Sequence, residues 1–185
     1  IRASRKMALE LLLSDHAGDC IAPCSAGCPA GLDVAGYVYE IASGHVERSM
    51  EGIFKTLSLP GALGRICPRL CEQSCRRCEY DHEGLSIAAL HRYATDRNQE
   101  AEQPFLPESP QPSGRTVAIV GAGPAGLSAA FYLQQRGHAC TLFDAHPEPG
   151  GMLRYGIPEY RLPRAALADE VRVIEQLGAT FQMNR

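Results

Sequence analysis

The first 98 residues have the apolar spacing of short helices. Apolar side chains recur three or four positions apart in "SRKMALELLLS", "LDVAGYVYEIASG", "HVERSMEGIFKTL" and "LSIAALHRYATDRNQ", which is the spacing of one helix face. The second of these segments follows the cap-type residue Asp33 and stops at Gly44, as helix boundaries often do. Loops rich in Cys, Pro and Gly separate the segments, without the alternation of a strand. We therefore predict an all-α domain over residues 1–98.

The pattern changes after residue 114. Short apolar runs typical of strands occur in "TVAIV", "CTLFDA" and "ATFQM", and helical stretches lie between them. Such alternation predicts a parallel sheet. Residues 99–114 carry four prolines and no periodic apolar face, which is typical of a linker. We predict a multi-domain chain in which the helical domain precedes an incomplete α/β Rossmann-like domain over residues 115–185.

Composition narrows the choice of partners. The chain has 185 residues, 45% of them hydrophobic, and a net charge of −3 without a basic stripe, which argues against nucleic acid and anionic membranes as partners. The longest early apolar run, residues 7–13, is too short to span a bilayer, and no cleavage site of a signal peptide follows it. We expect a soluble, cytoplasmic protein with no membrane partner.

Seven of the eight cysteines lie between residues 20 and 78. Disulfide scaffolds are usually smaller and lack a nucleotide fold, so metal ligation is the favoured interpretation. The first group places four side chains at a constant interval of four: His16, Cys20, Cys24 and Cys28. Pro23, Gly27 and Pro29 exclude a regular helix in this stretch.

The second group is Cys67, Cys71, Cys75 and Cys78. On one helix, Cys67 and Cys75 would stand about 12 Å apart along the axis, at roughly 1.5 Å per residue. That separation is too large for one small cluster, so either the cysteines serve two sites or the helix breaks.

The spacing of the cysteines favours iron over zinc. Zinc ligands usually come as CxxC pairs, and only Cys75 and Cys78 have that spacing. Seven thiols with two Cys-Pro steps suit two iron–sulfur clusters whose ligands interleave between the groups. Two clusters need eight ligands, and the seven cysteines with His16 and His91 give nine candidates. Cys140, at the start of a buried strand, is interpreted as a core residue.

A glycine-rich loop follows the first predicted strand. Gly121 permits a tight turn, Gly123 permits close approach of a pyrophosphate, and Gly126 permits close packing of helix and strand. Asp144, at the end of the second strand, can accept hydrogen bonds from both ribose hydroxyls and would repel a 2′-phosphate, which predicts FAD or NAD rather than NADP. Gly150 precedes a further glycine, and this pair would give a second place where the backbone comes close to a ligand. A plain NAD domain would not need such a place, so the pair favours FAD. A glycine-permitted turn in a connecting loop is the alternative.

Four segments carry a resemblance to a known family. In order and spacing, "CPAGLDVAGYV", "GRICPRLCEQSC", "GAGPAGLSAA" and "PGGMLRYGIPEYRLPR" resemble signatures of the flavin and iron–sulfur oxidoreductases that include the small subunit of NADPH-dependent glutamate synthase and the N-terminal region of dihydropyrimidine dehydrogenase. The likeness spans nearly all of residues 5–185.

The resemblance implies two [4Fe–4S] clusters in a helical domain ahead of an FAD domain. It assigns Cys20, Cys24 and Cys75 to one cluster. It assigns Cys28, Cys67 and Cys71 to the other. His91 follows "SIAAL" at a position where several family members have a non-cysteine ligand. For FAD, the pattern falls on the loop residues Gly121, Ala122, Gly123, Pro124, Ala125 and Gly126, and on Asp144, Gly151, Met152 and Arg161.

One departure concerns the first cluster. The family's common extra cysteine before the first group is absent, and "LLLSDHAGDC" has His16, which resembles the start of the one-histidine, three-cysteine motif of respiratory complex I and iron hydrogenases. We predict His16 as the fourth ligand. The alternatives are a solvated loop histidine at 16, an exposed helix residue at His91, and Cys78 as a ligand in place of either histidine.

The function implied by the resemblance is an NAD(P)H-dependent oxidoreductase of the glutamate synthase small-subunit type. FAD and the clusters would relay electrons to a large catalytic or electron-accepting partner subunit. A non-enzymatic iron–sulfur docking or assembly module is the alternative. The 185 residues hold no second glycine fingerprint and do not begin with Met. We expect a fragment of a longer polypeptide in which NAD(P)H binds beyond residue 185, and we assign no catalytic acid, base or nucleophile.

Overall fold

The computed structural model describes residues 1–16 and 20–185. Its first hundred residues form short helices, as the apolar spacing predicts. In chain order these are α1 (Arg2–Ser14), α2 (Pro23–Ala26), α3 (Val34–Ala42), α4 (Val46–Phe54), α5 (Pro60–Ile66), α6 (Leu70–Gln73), α7 (Arg77–Asp81) and α8 (Ile87–Glu100). Helix α8 therefore extends two residues into the predicted linker.

The remaining residues form an α/β unit. Its elements are β1 (Thr116–Val120), α9 (Pro124–Gln134), β2 (Ala139–Asp144), α10 (Met152–Tyr155), α11 (Arg164–Gln176) and β3 (Thr180–Met183). The three strands pair in parallel in the order β1-β2-β3, which confirms the predicted partial Rossmann-like sheet. Because parallel strands end at the same edge, the glycine loop after β1 lies beside the acid that ends β2.

Aromatic side chains join the two parts of the chain. The ring of Phe54, at the end of α4, stacks on Phe131 of α9 at 5.8 Å between centroids and on Phe105 of the linker at 6.2 Å. The backbone N–H of Phe105 also donates to Asn98 Oδ1 at 2.8 Å. Stacked aromatic pairs add to the free energy gained by burial. Phe105 thus holds the linker against the helical domain, and Ser109 Oγ of the linker donates to the carbonyl of Leu177 in the second domain at 3.4 Å.

The second cysteine group is not one helix. Helix α5 ends at Ile66, and Cys67 has the extended dihedrals φ −58° and ψ 140°, because a residue that precedes proline is driven out of the helical region. Arg69 then adopts a left-handed conformation at φ 63° before α6 begins. The break separates Cys67 from the cysteines that follow, and it settles the choice left open by the spacing in favour of a broken helix.

Helix α1 differs from the other long helices because every residue from 2 to 14 is exposed. The sequence predicts an amphipathic helix here, and the structure leaves its apolar side chains Met7, Leu9, Leu12 and Leu13 in contact with solvent. No helix in the described ranges combines the length and apolar character needed to cross a bilayer.

Candidate metal and dinucleotide sites

The two cysteine groups meet where α2 packs against α6. Gly27, just after α2, lies so close to the second group that an added Cβ would stand 2.7 Å from Ser74 Oγ. Ser25 Oγ accepts from the backbone N–H of Val34 at 3.0 Å, which ties the first group to the start of α3. This arrangement brings thiols from both groups to shared cavities.

One cavity, which we call the closed cavity, has a volume of about 230 Å³. It is lined by three cysteines, Cys28, Cys67 and Cys71, and by His91. Most of the remaining wall is apolar: Leu32, Val34, Leu57, Leu63, Ile87 and Ala88. The three thiols that the resemblance assigns to one cluster therefore line one space together with His91, the candidate ligand that the resemblance left without a cluster.

His91 is buried, at 6% exposure, so the alternative of an exposed helix residue is wrong. Its Nε2 is buried and has no hydrogen-bond partner among the described residues, and such an atom is costly unless something binds it. Burial lowers the pKa of His91 to about 4, so the imidazole is neutral at pH 7, the form that ligates metals. The ring of Tyr37 packs beside it at 5.9 Å, with its hydroxyl donating to the carbonyl of Ile87 at 3.1 Å.

The Cys71 thiol of the closed cavity resists ionisation in the absence of a cation. Burial, then the neighbouring Cys67, raises the pKa of Cys71, and burial followed by nearby cysteines raises that of Tyr37. A metal centre would supply the compensating positive charge and displace the thiol protons. The donor set of three sulfurs and one neutral imidazole nitrogen fits a soft metal centre.

The spread of these ligands argues against a single metal ion. Within residues 1–16 and 20–185, no three His, Cys, Asp or Glu side chains gather closely enough to hold one ion. A zinc ion needs its sulfur ligands at about 2.3 Å from a common centre. A [4Fe–4S] cluster places each protein ligand on a different iron and therefore needs a wider spread. A cluster of this kind is compatible with the cysteines and the histidine that line the closed cavity.

A second cavity, which we call the open cavity, has a volume of about 360 Å³. Cys24 and Cys75 line it, with the side chains of Arg76 and Arg77. Val34 and Ile87 line both cavities, so these two side chains form a common wall.

Cys20 and His16 form a pair of their own. His16 Nε2 lies 3.1 Å from Cys20 Sγ, and both residues are exposed. In the described part of the chain, neither lines the open cavity. The structure thus pairs the two residues expected to complete the first ligand set.

Cys78 is also exposed. A Cβ on Gly84 would lie 3.0 Å from its Sγ, so the thiol is covered on one side by the loop before α8. Cys78 lines neither cavity among the described residues. Cys140 is buried at 2% exposure in β2, as expected for a core residue.

The glycine loop after β1 has the predicted backbone constraints. Gly121 has φ 100°, which an L-residue rarely adopts. A Cβ on Gly126 would lie 1.9 Å from the carbonyl oxygen of Gly121, so only glycine allows α9 to pack there. Helix α9 begins at Pro124, and its free N–H groups lie at the end that attracts a pyrophosphate.

Asp144 is tied to this loop. Its Oδ2 accepts from the backbone N–H of Ala122 at 2.7 Å. Its Oδ1 accepts from the backbone N–H of His146 at 2.9 Å and lies 2.8 Å from His146 Nδ1. Hydrogen bonds from the backbone of His146 and Ala122, then from the His146 ring, lower the pKa of Asp144. The carboxylate is thus ionised at the edge of the sheet, where the predicted ribose contact would form.

The second glycine pair packs directly on the first loop. Gly150 and Gly151 have φ 126° and 49°. The N–H of Gly150 donates to the carbonyl of Ala122 at 2.8 Å, and a Cβ on Gly151 would lie 2.7 Å from the Cα of Gly123. Glycine is therefore required at both positions, because this segment lies in direct contact with the glycine loop after β1. The two loops together form one surface.

Two arginines that the sequence interpretation missed hold the segment after this pair. Arg154 Nε donates to the carbonyl of Pro149 at 2.7 Å, and Arg164 donates to the carbonyls of Leu153 and Ile157, each at 3.1 Å. Their positions, in the repeated arginines of "LRYGIPEYRLPR", offered no signal that separates a structural arginine from a ligand-binding one. Met152 and Arg161, predicted to contact FAD, are exposed.

Comparisons with known families agree with this division. Residues 14–103 match the family described as dihydropyrimidine dehydrogenase domain II, 4Fe-4S cluster. Residues 119–168 match the family described as NAD(P)-binding Rossmann-like domain. The first match contains both cysteine groups and His91, and the second contains the glycine loop and Asp144.

Curated relatives cover most of this chain. The beta subunit of NADP(+)-dependent formate dehydrogenase from Moorella thermoacetica is 41% identical over 88% of the chain and 26% of the relative. The beta subunit of NADPH-Fe(3+) oxidoreductase from Geobacter sulfurreducens is 41% identical over 85% and 24%. The NAD-dependent dihydropyrimidine dehydrogenase subunit PreT of Escherichia coli is 35% identical over 94% and 43%.

The chain therefore spans between about a quarter and less than half of the length of these relatives. The three relatives bear the names of NAD(P)-dependent oxidoreductase subunits. The chain combines a 4Fe-4S domain of the dihydropyrimidine dehydrogenase domain II type with an NAD(P)-binding Rossmann-like domain.

Proposed function

We propose that this chain is the iron–sulfur and FAD-binding part of an NAD(P)H-linked oxidoreductase subunit. In this proposal two [4Fe–4S] clusters and FAD relay electrons between a nicotinamide cofactor and a large catalytic or electron-accepting partner subunit. NAD(P)H binds through a region beyond residue 185. When bound, FAD exchanges hydride with the nicotinamide and single electrons with the clusters.

The closed cavity is the observation that carries the proposal. Cysteines from both groups face one space of about 230 Å³ beside a histidine whose buried Nε2 lacks a partner among the described residues. A structural core would not leave three thiols and an unpaired ring nitrogen around a void. Cys28, Cys67, Cys71 and His91 would hold one cluster. Cys24 and Cys75, with Cys20 and His16, would hold the other.

The dinucleotide side has its own supporting geometry. The N–H groups at the start of α9 would bind the pyrophosphate, and Asp144 would accept from the ribose hydroxyls. For this contact Asp144 would have to share oxygen lone pairs that now accept from Ala122 and His146. Gly151 lies against Gly123, which supports close backbone approach at both loops. Met152 and Arg161, on the exposed side of this segment, would complete the FAD contacts.

The identity of the partner subunit is the more specific part of the proposal. The sequence signatures favour a glutamate synthase large subunit, whereas the relatives described above bear the names of other oxidoreductases. The three relatives are each named as a subunit, which supports a partner polypeptide for this chain. We therefore propose the relay first and the glutamate synthase partner second.

The test begins with the full-length polypeptide purified without oxygen. Two clusters of four irons predict about eight irons and as much acid-labile sulfide per chain, with bound FAD. Protein with neither iron nor sulfide overturns the relay, and colourless protein that contains zinc indicates a structural metal. Clusters without flavin would favour the docking-module alternative.

A matched pair of histidine variants then tests the closed cavity. His91→Ala is expected to alter the spectrum of one cluster, and His91→Cys to retain the cluster at a lower potential, because a thiolate makes the cluster more negative than an imidazole does. His45→Ala is the control, since the His45 side chain is about half exposed and lies at the start of α4. Identical spectra for His91→Ala and wild type would remove His91 from the ligand set.

A further inference from the structure

The proposed function does not use Glu170, a carboxylate buried where the two domains meet. Glu170 lies on α11 and is 3% exposed. Its Oε1 accepts from the backbone N–H of Gly61, and its Oε2 accepts from that of Ala62 at 3.1 Å. Both N–H groups belong to the first turn of α5, where a helix offers them no partner. The carboxylate therefore fastens the start of a helix in one domain to a helix in the other.

Helix α5 leads from this contact to the closed cavity. Cys67 follows the last residue of α5 and donates its N–H to the carbonyl of Leu63 at 3.0 Å. The rise from Gly61 to Cys67 is about 9 Å, at roughly 1.5 Å per residue. Leu63 and Cys67 both line the closed cavity. A shift at the Glu170 end of this short helix would therefore move a cavity cysteine.

Helix α8 is held to α5 by side-chain and backbone contacts. Arg65 donates to the carbonyl of Gly61 at 3.0 Å and to Asp96 Oδ1 of α8 at 2.6 Å. A Cβ on Gly64 would lie 3.0 Å from the Cα of Arg92, so the two backbones are in direct contact. Since α8 carries His91 and Cys67 directly follows α5, the pair α5–α8 positions two of the four groups around the closed cavity.

The fit around Glu170 is tight. A Cβ on Gly61 would lie 3.2 Å from Glu170 Oε1 and 3.2 Å from Thr95 Cγ2. The cavity beside the carboxylate has a volume of about 20 Å³, which is room for about one water molecule. Neighbouring contacts across the same boundary are those of Ser58 Oγ with Ser128 Oγ at 2.7 Å and of Phe54 with Phe131.

We propose that Glu170 is a positioning residue for electron transfer, which holds the α5–α8 pair against α11 and so fixes the closed cavity relative to the dinucleotide-binding loops. This inference rests on the proposed function. The charged groups that act on the carboxyl are Arg65 on α5 and Asp169 on its own helix, with Asp96 of α8 bonded to Arg65. Burial raises the pKa of Glu170 to about 8. Glu170→Gln therefore changes little in charge at neutral pH while it removes one of the two acceptors.

The experiment uses the full-length protein loaded with flavin and clusters. Glu170→Ala is expected to speed hydrogen exchange at the amides of Gly61 and Ala62. It should also slow flavin-to-cluster electron transfer several-fold after rapid reduction with NAD(P)H. Iron content and midpoint potentials should stay at their wild-type values, because the cluster keeps all of its ligands. Glu175→Gln, at an exposed position of the same helix, should change none of these quantities.

Faster amide exchange with an unchanged transfer rate would show that Glu170 only stabilises the fold, and this result overturns the inference. If Glu170→Ala loses its clusters, Glu170→Gln decides: slower transfer at wild-type potentials supports the inference, whereas a wild-type rate or loss of the clusters overturns it. A wild-type protein that binds neither clusters nor flavin would remove the proposed function before any variant is compared.

Discussion

The closed and open cavities are built from the same two cysteine groups, but they differ in their access to solvent. Around the closed cavity the walls are apolar and His91 is buried. At the open cavity two arginines line the wall, and the residues expected to complete the site, Cys20 and His16, are exposed. Exposure and local charge tune the potential of an iron–sulfur cluster. Two sites of nearly equal composition are therefore expected to differ in potential.

The two cavities also differ in how many candidate cluster ligands already surround them and in how exposed their residues are to solvent. The closed cavity has its four candidate ligands around one space, whereas the open cavity is lined by two, and His16 and Cys20 pair with each other. Arg76 and Arg77 of the open cavity are exposed, as is Cys20, so the proposed partner subunit would have access to this side. The closed site is expected to contribute more to the free energy of folding, and the open site more to electron transfer with a partner protein.

The largest effect is expected from removal of a cysteine in the closed cavity. Cys67→Ala should lose roughly half of the iron, since it abolishes one of two proposed clusters. It should also lower the thermal midpoint by many degrees, because binding energy of a structural metal centre is folding energy. Cys20→Ala should lose a similar share of iron with a smaller fall of the midpoint. Equal falls for the two variants, by calorimetry without oxygen, would contradict the distinction between the cavities.

The next effect is a dependence of stability on pH, because the buried acid Glu170 of α11 accepts hydrogen bonds from the first turn of α5. The pKa of Glu170 rises from 4.5 to about 8 on folding, so the folded chain binds more protons between these values. The contribution of Glu170 to stability is full below pH 4.5 and is lost as pH rises toward 8. The upper limit of this loss is roughly 5 kcal/mol.

Urea unfolding of wild type and Glu170→Gln from pH 5 to 9 measures this contribution. Subtracting the unfolding free energy of the variant from that of wild type cancels the contributions of the other titrating groups. This difference should fall as pH rises and level off above pH 8. Parallel curves for the two proteins would show that Glu170 titrates as it does in the unfolded chain.

The comparison explains which features the sequence could predict. Local spacing determines the helices, and α3 begins after Asp33, whose Oδ1 accepts from the N–H of Gly36 at 3.0 Å, as the pattern predicts. The glycine roles also follow from local conformation. The broken helix at Cys67 was left open by the spacing, although the proline after Cys67 favours an extended conformation at that cysteine.

The burial of His91 had a signal that the sequence interpretation overlooked. In α8 the buried residues are Ile87, Ala88, His91, Ala94, Thr95 and Asn98, a helical stripe in which the histidine occupies a core position. The role of Glu170 had no such signal, because its partners in α5 lie more than a hundred residues away. Contacts of this kind depend on the docking of two domains and not on local pattern.

A third prediction compares the two histidines in iron-free protein, where only packing contributes. His91→Ala should lower the free energy of unfolding by up to roughly 3 kcal/mol, because the void beside Tyr37 costs stability while removal of the buried Nε2, which has no partner among the described residues, offsets part of that cost. His16→Ala should change it by less than about 0.5 kcal/mol, since the ring is exposed. Urea unfolding of both variants under reducing conditions measures the difference. A costly His16→Ala would mean that the open site is also preformed.

The smallest effect is expected from Cys78→Ser, and it decides the ligand set of the open site. The Sγ of Cys78 is covered by Gly84 on one side, whereas His16 Nε2 lies 3.1 Å from Cys20 Sγ. If His16 is the fourth ligand, Cys78→Ser leaves iron content and EPR spectra unchanged, and His16→Ala alters one cluster. Because imidazole leaves that cluster less negative than a thiolate would, its potential should fall in His16→Cys. The reverse pattern, a changed spectrum in Cys78→Ser and none in His16→Ala, would assign the thiol to the open cluster and leave His16 as a surface residue.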